Sequence, residues 1–285
     1  MNTKNLQCFM SVYEERNLTL AAAKLFLSPQ GLGKIIRGLE EEFNTELFIR
    51  TKEGFIPTES GHVFYEKTKQ LNHDLNDLYT TLENIGKKEK RFKLGFASGT
   101  IRALDISKIA GFIDNNPEIL GEWHERDNNV IQDQVENGDI NFGFIVGKPK
   151  GRNLRAVCVY TNEVVLYVYR GHRFFDREKV SIEDIKDEKI VSMSDKYRIY
   201  FDVINASQMM GFVPNIVATV KEGRSIIKLV ENKVGIGISP MLMEEREDVH
   251  IVRIEGEYKW CIYGICREDS PDSVITDQLY KIFEN

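Results

Sequence analysis

The chain has 285 residues, enough for two or three domains of about 100–200 residues each. Hydrophobic residues make up 42% and charged residues 29%, with 21 glycines and 7 prolines, which excludes a disordered, collagen-like or low-complexity chain. The formal charge is −6, so a uniformly basic nucleic-acid binder is excluded and any DNA contact must come from charge sorted onto one face.

Cys8, Cys158, Cys261 and Cys266 form no CxxC pair and have no histidine close in sequence. Neither a disulfide scaffold nor a zinc site is expected, and no metal or cofactor is assigned. The N-terminus carries one lysine and a short apolar stretch, unlike a secretory signal, and no apolar run approaches the ~18 residues of a membrane span. The expected location is the reducing cytoplasm, with no membrane partner.

In chain order, Leu6, Phe9, Met10 and Tyr13 lie at i, i+3, i+4 and i+7, the apolar stripe of a helix. Asn2 or Thr3 can cap it and Asn17 can stop it. Thr19 reads as the cap of a second short helix over 20–26, where Ala21, Ala22 and Ala23 admit a close neighbour. Ser28-Pro29 predicts the start of a third: serine is a favoured cap, and proline at the first helical position loses no hydrogen bond. Leu32, Ile35, Ile36 and Leu39 form its buried face; Gln30, Gly33, Lys34 and Arg37 form the opposite one. Segments 46–50 and 55–58 flank Thr51-Lys52-Glu53-Gly54 and read as a hairpin. Helices joined by a tight turn and followed by a hairpin describe a winged helix-turn-helix over residues 1–58.

Thr58 predicts a long helix ending near Ile85, with Gly86 just beyond. Phe64, Thr68, Leu71, Leu75, Leu78, Leu82 and Ile85 recur in steps of four and three, a heptad seam. Residues 59–88 are therefore expected to link the domains, and the stripe to pair with a second copy through Phe64, Leu71, Leu75, Leu78 and Leu82 or to cover the core of its own chain. From Phe92 the texture is α/β with a mainly parallel sheet: strands near 92–96, 120–124, 140–146, 163–169, 189–192, 216–220, 235–238 and 258–266, with helices near 102–115, 129–137 and 270–283.

These residues resemble the LysR-type transcriptional regulators over the full length. The N-terminal match runs through Leu6-Gln7-Cys8-Phe9, 17–25, Leu27-Ser28-Pro29-Gln30-Gly31-Leu32-Gly33-Lys34-Ile35-Ile36, Leu39-Glu40, Leu47-Phe48-Ile49-Arg50, Pro57-Thr58 and Gly61. The C-terminal match comprises Asn137-Gly138-Asp139-Ile140, 181–185, Gly211-Phe212-Val213-Pro214 and 230–240. Many members carry alanine and serine where Gly31 and Gly33 stand, and Gln-Pro where Pro29-Gln30 stands. The resemblance implies a two-lobed effector-binding domain over 89–285, similar to periplasmic binding proteins. Lobe one is expected over about 92–160 and 266–285, and lobe two over about 161–265. It also implies double-stranded promoter DNA and a small-molecule effector as partners, with dimers that pair into tetramers.

In that context Ser28, Gln30, Lys34 and Arg37 are the candidates for reading DNA, since Arg and Lys suit guanine edges and phosphates and Gln can pair with adenine. Arg50 and Lys52 on the wing can clamp phosphates. The resemblance adds Thr19, Pro29 and Gly33 to this set. Ser98-Gly99-Thr100, between a strand and a helix, can bind an anion through hydroxyls and amides, or can simply cap the helix. Ser194, after another strand, is expected to face it across a cleft. Two rival readings are an α/β enzyme and a solute-binding module with an accessory N-terminus. The chain has no nucleophile elbow, P-loop or GxGxxG after a strand, and no catalytic residue is assigned.

Overall fold

The computed structural model describes residues 2–52, 54–84, 90–151 and 153–283. The chain divides into two compact units, Met1–Ile85 and Gly86–Asn285; the expected helix stop at Ile85-Gly86 lies outside the described residues.

Unit one comprises α1 (Thr3–Glu15), α2 (Leu18–Lys24), α3 (Pro29–Glu42), β1 (Phe48–Thr51), β2 (Gly54–Pro57) and α4 (Glu59–Asn84). Asn2 caps α1 by accepting the Asn5 amide at 2.9 Å. The second cap differs from expectation. Asn17, not Thr19, accepts the amides of Thr19 and Leu20, so α2 begins two residues earlier and Thr19 is already helical. Arg16 absorbs the reversal in the left-handed region at φ 53°. Ser28 caps α3 through the Gly31 amide with Pro29 at the first turn, as the dipeptide predicts. Phe9, Val12, Ala21, Ala22, Leu32, Ile36, Leu39 and Leu47 bury the apolar stripes together.

The hairpin packs back onto the end of α1. Phe55 donates its amide to the Arg16 carbonyl at 2.8 Å. At Gly54 a Cβ would collide with that carbonyl, and φ is +134°, so only glycine is accommodated. Thr58 caps α4 through the Gly61 amide and donates its hydroxyl to the Glu46 carbonyl. The lower turns of α4 belong to this core. Phe64 packs edge-on against Phe9 at 4.7 Å and Phe43 at 5.1 Å, and Thr68 is buried. Phe64 is therefore occupied within its own chain and leaves the expected seam. Beyond it Leu71, Leu78 and Leu82 are exposed and Leu75 is half-buried.

Unit two is built from β3 (Lys90–Ala97), α5 (Thr100–Ala103), α6 (Ile106–Asp114), β4 (Ile119–Arg126), α7 (Asn128–Glu136), β5 (Phe142–Val146) and β6 (Leu154–Tyr169). It continues through β7 (Lys179–Val180), β8 (Lys189–Met193), α8 (Arg198–Met209), β9 (Asn215–Val220), α9 (Gly223–Glu231), β10 (Ile236–Pro240), β11 (Val249–Ile254), β12 (Lys259–Arg267) and α10 (Ser273–Lys281). The strand order β4-β3-β5-β12-β6-β10-β8-β9 is mixed: β4, β3 and β5 run parallel, as do β10, β8 and β9, while β12 and β6 are antiparallel to their neighbours. The long β6 spans both halves. Residues 154–163 pair with β12, and 164–169 pair with β10 and β11. β12 pairs with β5 over Ile262–Ile265 and with β6 over Lys259–Arg267, beginning a few residues ahead of the boundary expected at 266. The helix expected over 102–115 is broken between α5 and α6, where Leu104 is extended and Asp105 caps the second piece.

Candidate DNA-contact face and ligand cleft

The exposed face of α3 follows from its buried one. With Leu32, Ile36 and Leu39 inside, the helical period turns Gln30, Lys34 and Arg37 outward, beside the exposed Ser28 and Pro29. Lys34 and Arg37 have no carboxylate partner among the described residues; Arg37 Nε donates only to the Gly33 carbonyl at 3.4 Å. Gly33 itself is not on this face. It is buried against Leu18, which lies 3.4 Å from where a Cβ would stand, and so faces the α2–α3 contact. Thr19 is exposed in the first turn of α2. On the wing Lys52 is free of carboxylates among the described residues, whereas Arg50 lies 3.5 Å from Glu40 and over the Phe55 ring. The same Glu40 carboxylate accepts the amides of Leu47 and Phe48 at 3.0 and 3.2 Å, tying the wing to α3. Sequence reading missed Phe26, which is 97% exposed in the α2–α3 turn at φ 54°.

In unit two a cleft of about 740 Å³ lies at the carboxyl ends of β3 and β5 from one lobe and β8, β9 and β10 from the other. Open α/β sheets present their ligand crevices there. Ser98 and Gly99 line it; Thr100 and Ser194 do not. Thr100 is fully buried and donates its hydroxyl to the Ala97 carbonyl at 2.7 Å. The Ser194 amide is paired to the Val220 carbonyl, and its hydroxyl accepts from Lys196 at 3.5 Å. The corner expected to bind an anion is already served by the protein. The Ser98 amide donates to the Arg126 carbonyl, and the Gly99 amide donates to Glu125 Oε1 at 3.1 Å.

Positive charge enters the cleft from elsewhere: Arg102 after β3, Arg198 after β8, and Lys221 and Arg224 after β9. Glu125 and Glu222 oppose them, and Met193, Ile199, Met243 and Trp260 supply apolar wall. Burial pushes the Tyr197 hydroxyl up from its ordinary pKa, and the charges of Glu125, Asp127 and Glu222 push it further; it donates to the Lys221 carbonyl at 2.6 Å. A second cavity of about 450 Å³ shares Val146, Arg198, Ile199 and Trp260 with the first. The signal for the four cations was positional, since each closely follows the end of a strand. Among the described residues no cluster of three His, Cys, Asp or Glu suits a metal, and no helix is long and apolar enough to cross a membrane.

Comparison with known proteins agrees with this division. The family described as bacterial regulatory helix-turn-helix protein, lysR family, matches residues 3–62, and the LysR substrate binding domain matches residues 86–284. The HTH-type transcriptional regulator AlsR of Bacillus subtilis is 24% identical over 84% of this chain and 80% of its own length. The regulator BenM of Acinetobacter baylyi is 25% identical over the same shares. The crystal structure of full-length BenM aligns with a TM-score of 0.61 at 23% identity, covering 99% of this chain and 95% of that one. That of full-length CbnR complexed with its target DNA aligns with a TM-score of 0.57 at 18% identity, covering 99% of both. At these identities the likeness to the solved structures is one of fold.

Proposed function

Since the chain belongs to the LysR family of bacterial transcriptional regulators, and so is a DNA-binding regulator with a C-terminal effector-binding domain rather than an enzyme, we propose which residues do each task. The α3 face of Ser28, Pro29, Gln30, Lys34 and Arg37 enters the major groove of promoter DNA, with Arg50 and Lys52 on adjacent phosphates and Thr19 at the α2 end. The observation that carries this reading is that Lys34 and Arg37 stand on one exposed face with no carboxylate partner among the described residues. Phosphates then supply the missing counter-charge, and a base edge supplies specificity.

The exposed run of Leu71, Leu78 and Leu82, with Leu75 half-buried between them, supports pairing of α4 with that of a second copy. The cleft in unit two takes a small anionic effector, whose binding alters how the regulator engages its operator. The chain works in the cytoplasm, where promoter DNA is. Gel shift with the DNA upstream of the chain's own gene, across a salt series, tests the DNA assignment. Retardation that weakens with salt is expected, and none at any salt concentration would refute it.

A further inference from the structure

Two arginines cross the ligand cleft in opposite directions. Arg102, on α5 in lobe one, brings Nη1 to 3.9 Å from the point a Cβ on Gly223 of lobe two would occupy. Arg198, at the start of α8 in lobe two, lays its guanidinium over Gly147 of lobe one, filling the space a Cβ there would take. Gly147 sits at φ +77°, a conformation that favours glycine.

Among the described residues neither arginine is paired with a carboxylate of the opposite lobe. Among the described residues Arg102 has no carboxylate partner, and Arg198 has only Asp202, 3.7 Å away on its own helix. Glu125, the acidic group on the lobe-one wall, is held by the Gly99 amide. A single carboxylate matches one guanidinium fork and leaves the other unpaired. Two anionic groups, one for each arginine, satisfy both.

We propose that the effector is a small organic acid with two anionic groups, two carboxylates or a carboxylate and a phosphate on one carbon skeleton, held at one end by Arg102 and at the other by Arg198. This rests on the cleft being the effector site. Apolar Met193, Ile199 and Met243 give the skeleton its wall. Because each arginine belongs to a different lobe and rests on the opposite one, a ligand engaging both has an affinity that depends on the lobe arrangement. That differential affinity is what a population shift requires.

Calorimetry on the full chain at fixed ionic strength tests this with matched pairs: glutarate against glutaramate, phthalate against phthalamate, and 3-phosphoglycerate against glycerate. At least one acid with two anionic groups binds, and its partner with a single one binds about 10- to 100-fold more weakly. Arg102→Met and Arg198→Met, each with unchanged circular dichroism and melting, weaken the tighter acid by a similar factor. Arg102→Lys restores part of the loss. Equal affinity within every binding pair, or wild-type affinity for the tighter acid in both methionine variants, overturns the proposal. If no member of the panel binds while the chain still retards promoter DNA, the effector assignment fails and the DNA-binding reading stands. If promoter DNA is not retarded, it is the earlier reading that fails.

Discussion

Removing the Glu40 carboxylate tests what holds the wing to α3. One carboxylate accepts two backbone amides, Leu47 at 3.0 Å and Phe48 at 3.2 Å, and both residues are buried. Hydrogen bonds to a charged group contribute about 1.5–3 kcal/mol each, and a stranded buried donor costs about 1–3 kcal/mol. The Arg50 contact at 3.5 Å is partly exposed and adds at most about 1 kcal/mol. Glu40→Ala should therefore destabilise unit one by about 2–4 kcal/mol, with water re-solvating part of the loss. Glu40→Gln keeps an acceptor oxygen and should cost about half as much. Tryptophan fluorescence would not see the change, because Trp123 and Trp260 both lie in unit two. Hydrogen exchange of peptides covering 40–58 reads it directly, at about 1.4 kcal/mol per tenfold loss of protection. Unchanged protection of the Leu47 and Phe48 amides in the alanine variant would refute the argument.

Three further outcomes are expected. Arg37→Ala should weaken operator binding by about 1–3 kcal/mol if it reads a base, or lower the salt slope by about one if it holds phosphate; unchanged affinity across the salt series in a folded variant removes it from the interface. Leu75→Glu with Leu78→Glu should dissociate the α4 pair by placing charges in the seam, so sedimentation should report a smaller species, and an unaltered assembly sinks the seam. Burial raises the Glu188 carboxyl, but hydrogen bonds from Arg173 and His172 outweigh it and hold the pKa below the ordinary 4.5. A depressed carboxylate stabilises the fold above its unfolded pKa, and that contribution fades as pH falls below about 4.5 through the folded value. Glu188→Gln should flatten this part of the acid melting curve of unit two; an identical acid limb in both proteins contradicts the linkage.

Where local chemistry decides, the fold was legible. Ser28-Pro29 marks a helix start whatever surrounds it, and the step of four and three along α4 survives in the exposed leucines. Misreadings arose where two local solutions compete. Asn17 and Thr19 can each cap α2, and asparagine captures two amides at once from the position where Arg16 has already turned the chain. Phe64 obeys the heptad as well as Leu71 does. It is withdrawn from the expected seam because Phe9 and Phe43, distant in sequence, pack onto it. Periodicity reports that a face is apolar, not which partner covers it.

The cleft was legible only in part for a related reason: Ser98 and Gly99 line it, Thr100 and Ser194 do not. A Ser-Gly-Thr corner after a strand predicts free hydroxyls and amides, but each is supplied locally: the Thr100 hydroxyl by Ala97, the Ser98 amide by Arg126 and the Gly99 amide by Glu125. Of the three only Thr100 is fully buried, where an unpaired hydroxyl would be costly, and the corner as a whole is paired from within the chain. Exposed cations face no such pressure, because water solvates them until an anion displaces it. The groups that bring positive charge to the crevice are therefore the long basic side chains just past the strand ends, Arg102, Arg198, Lys221 and Arg224, of which Arg198 also pairs with Asp202 on its own helix. In sequence they look like ordinary surface residues, and only the convergence of β3, β8 and β9 on one crevice gives them a common target.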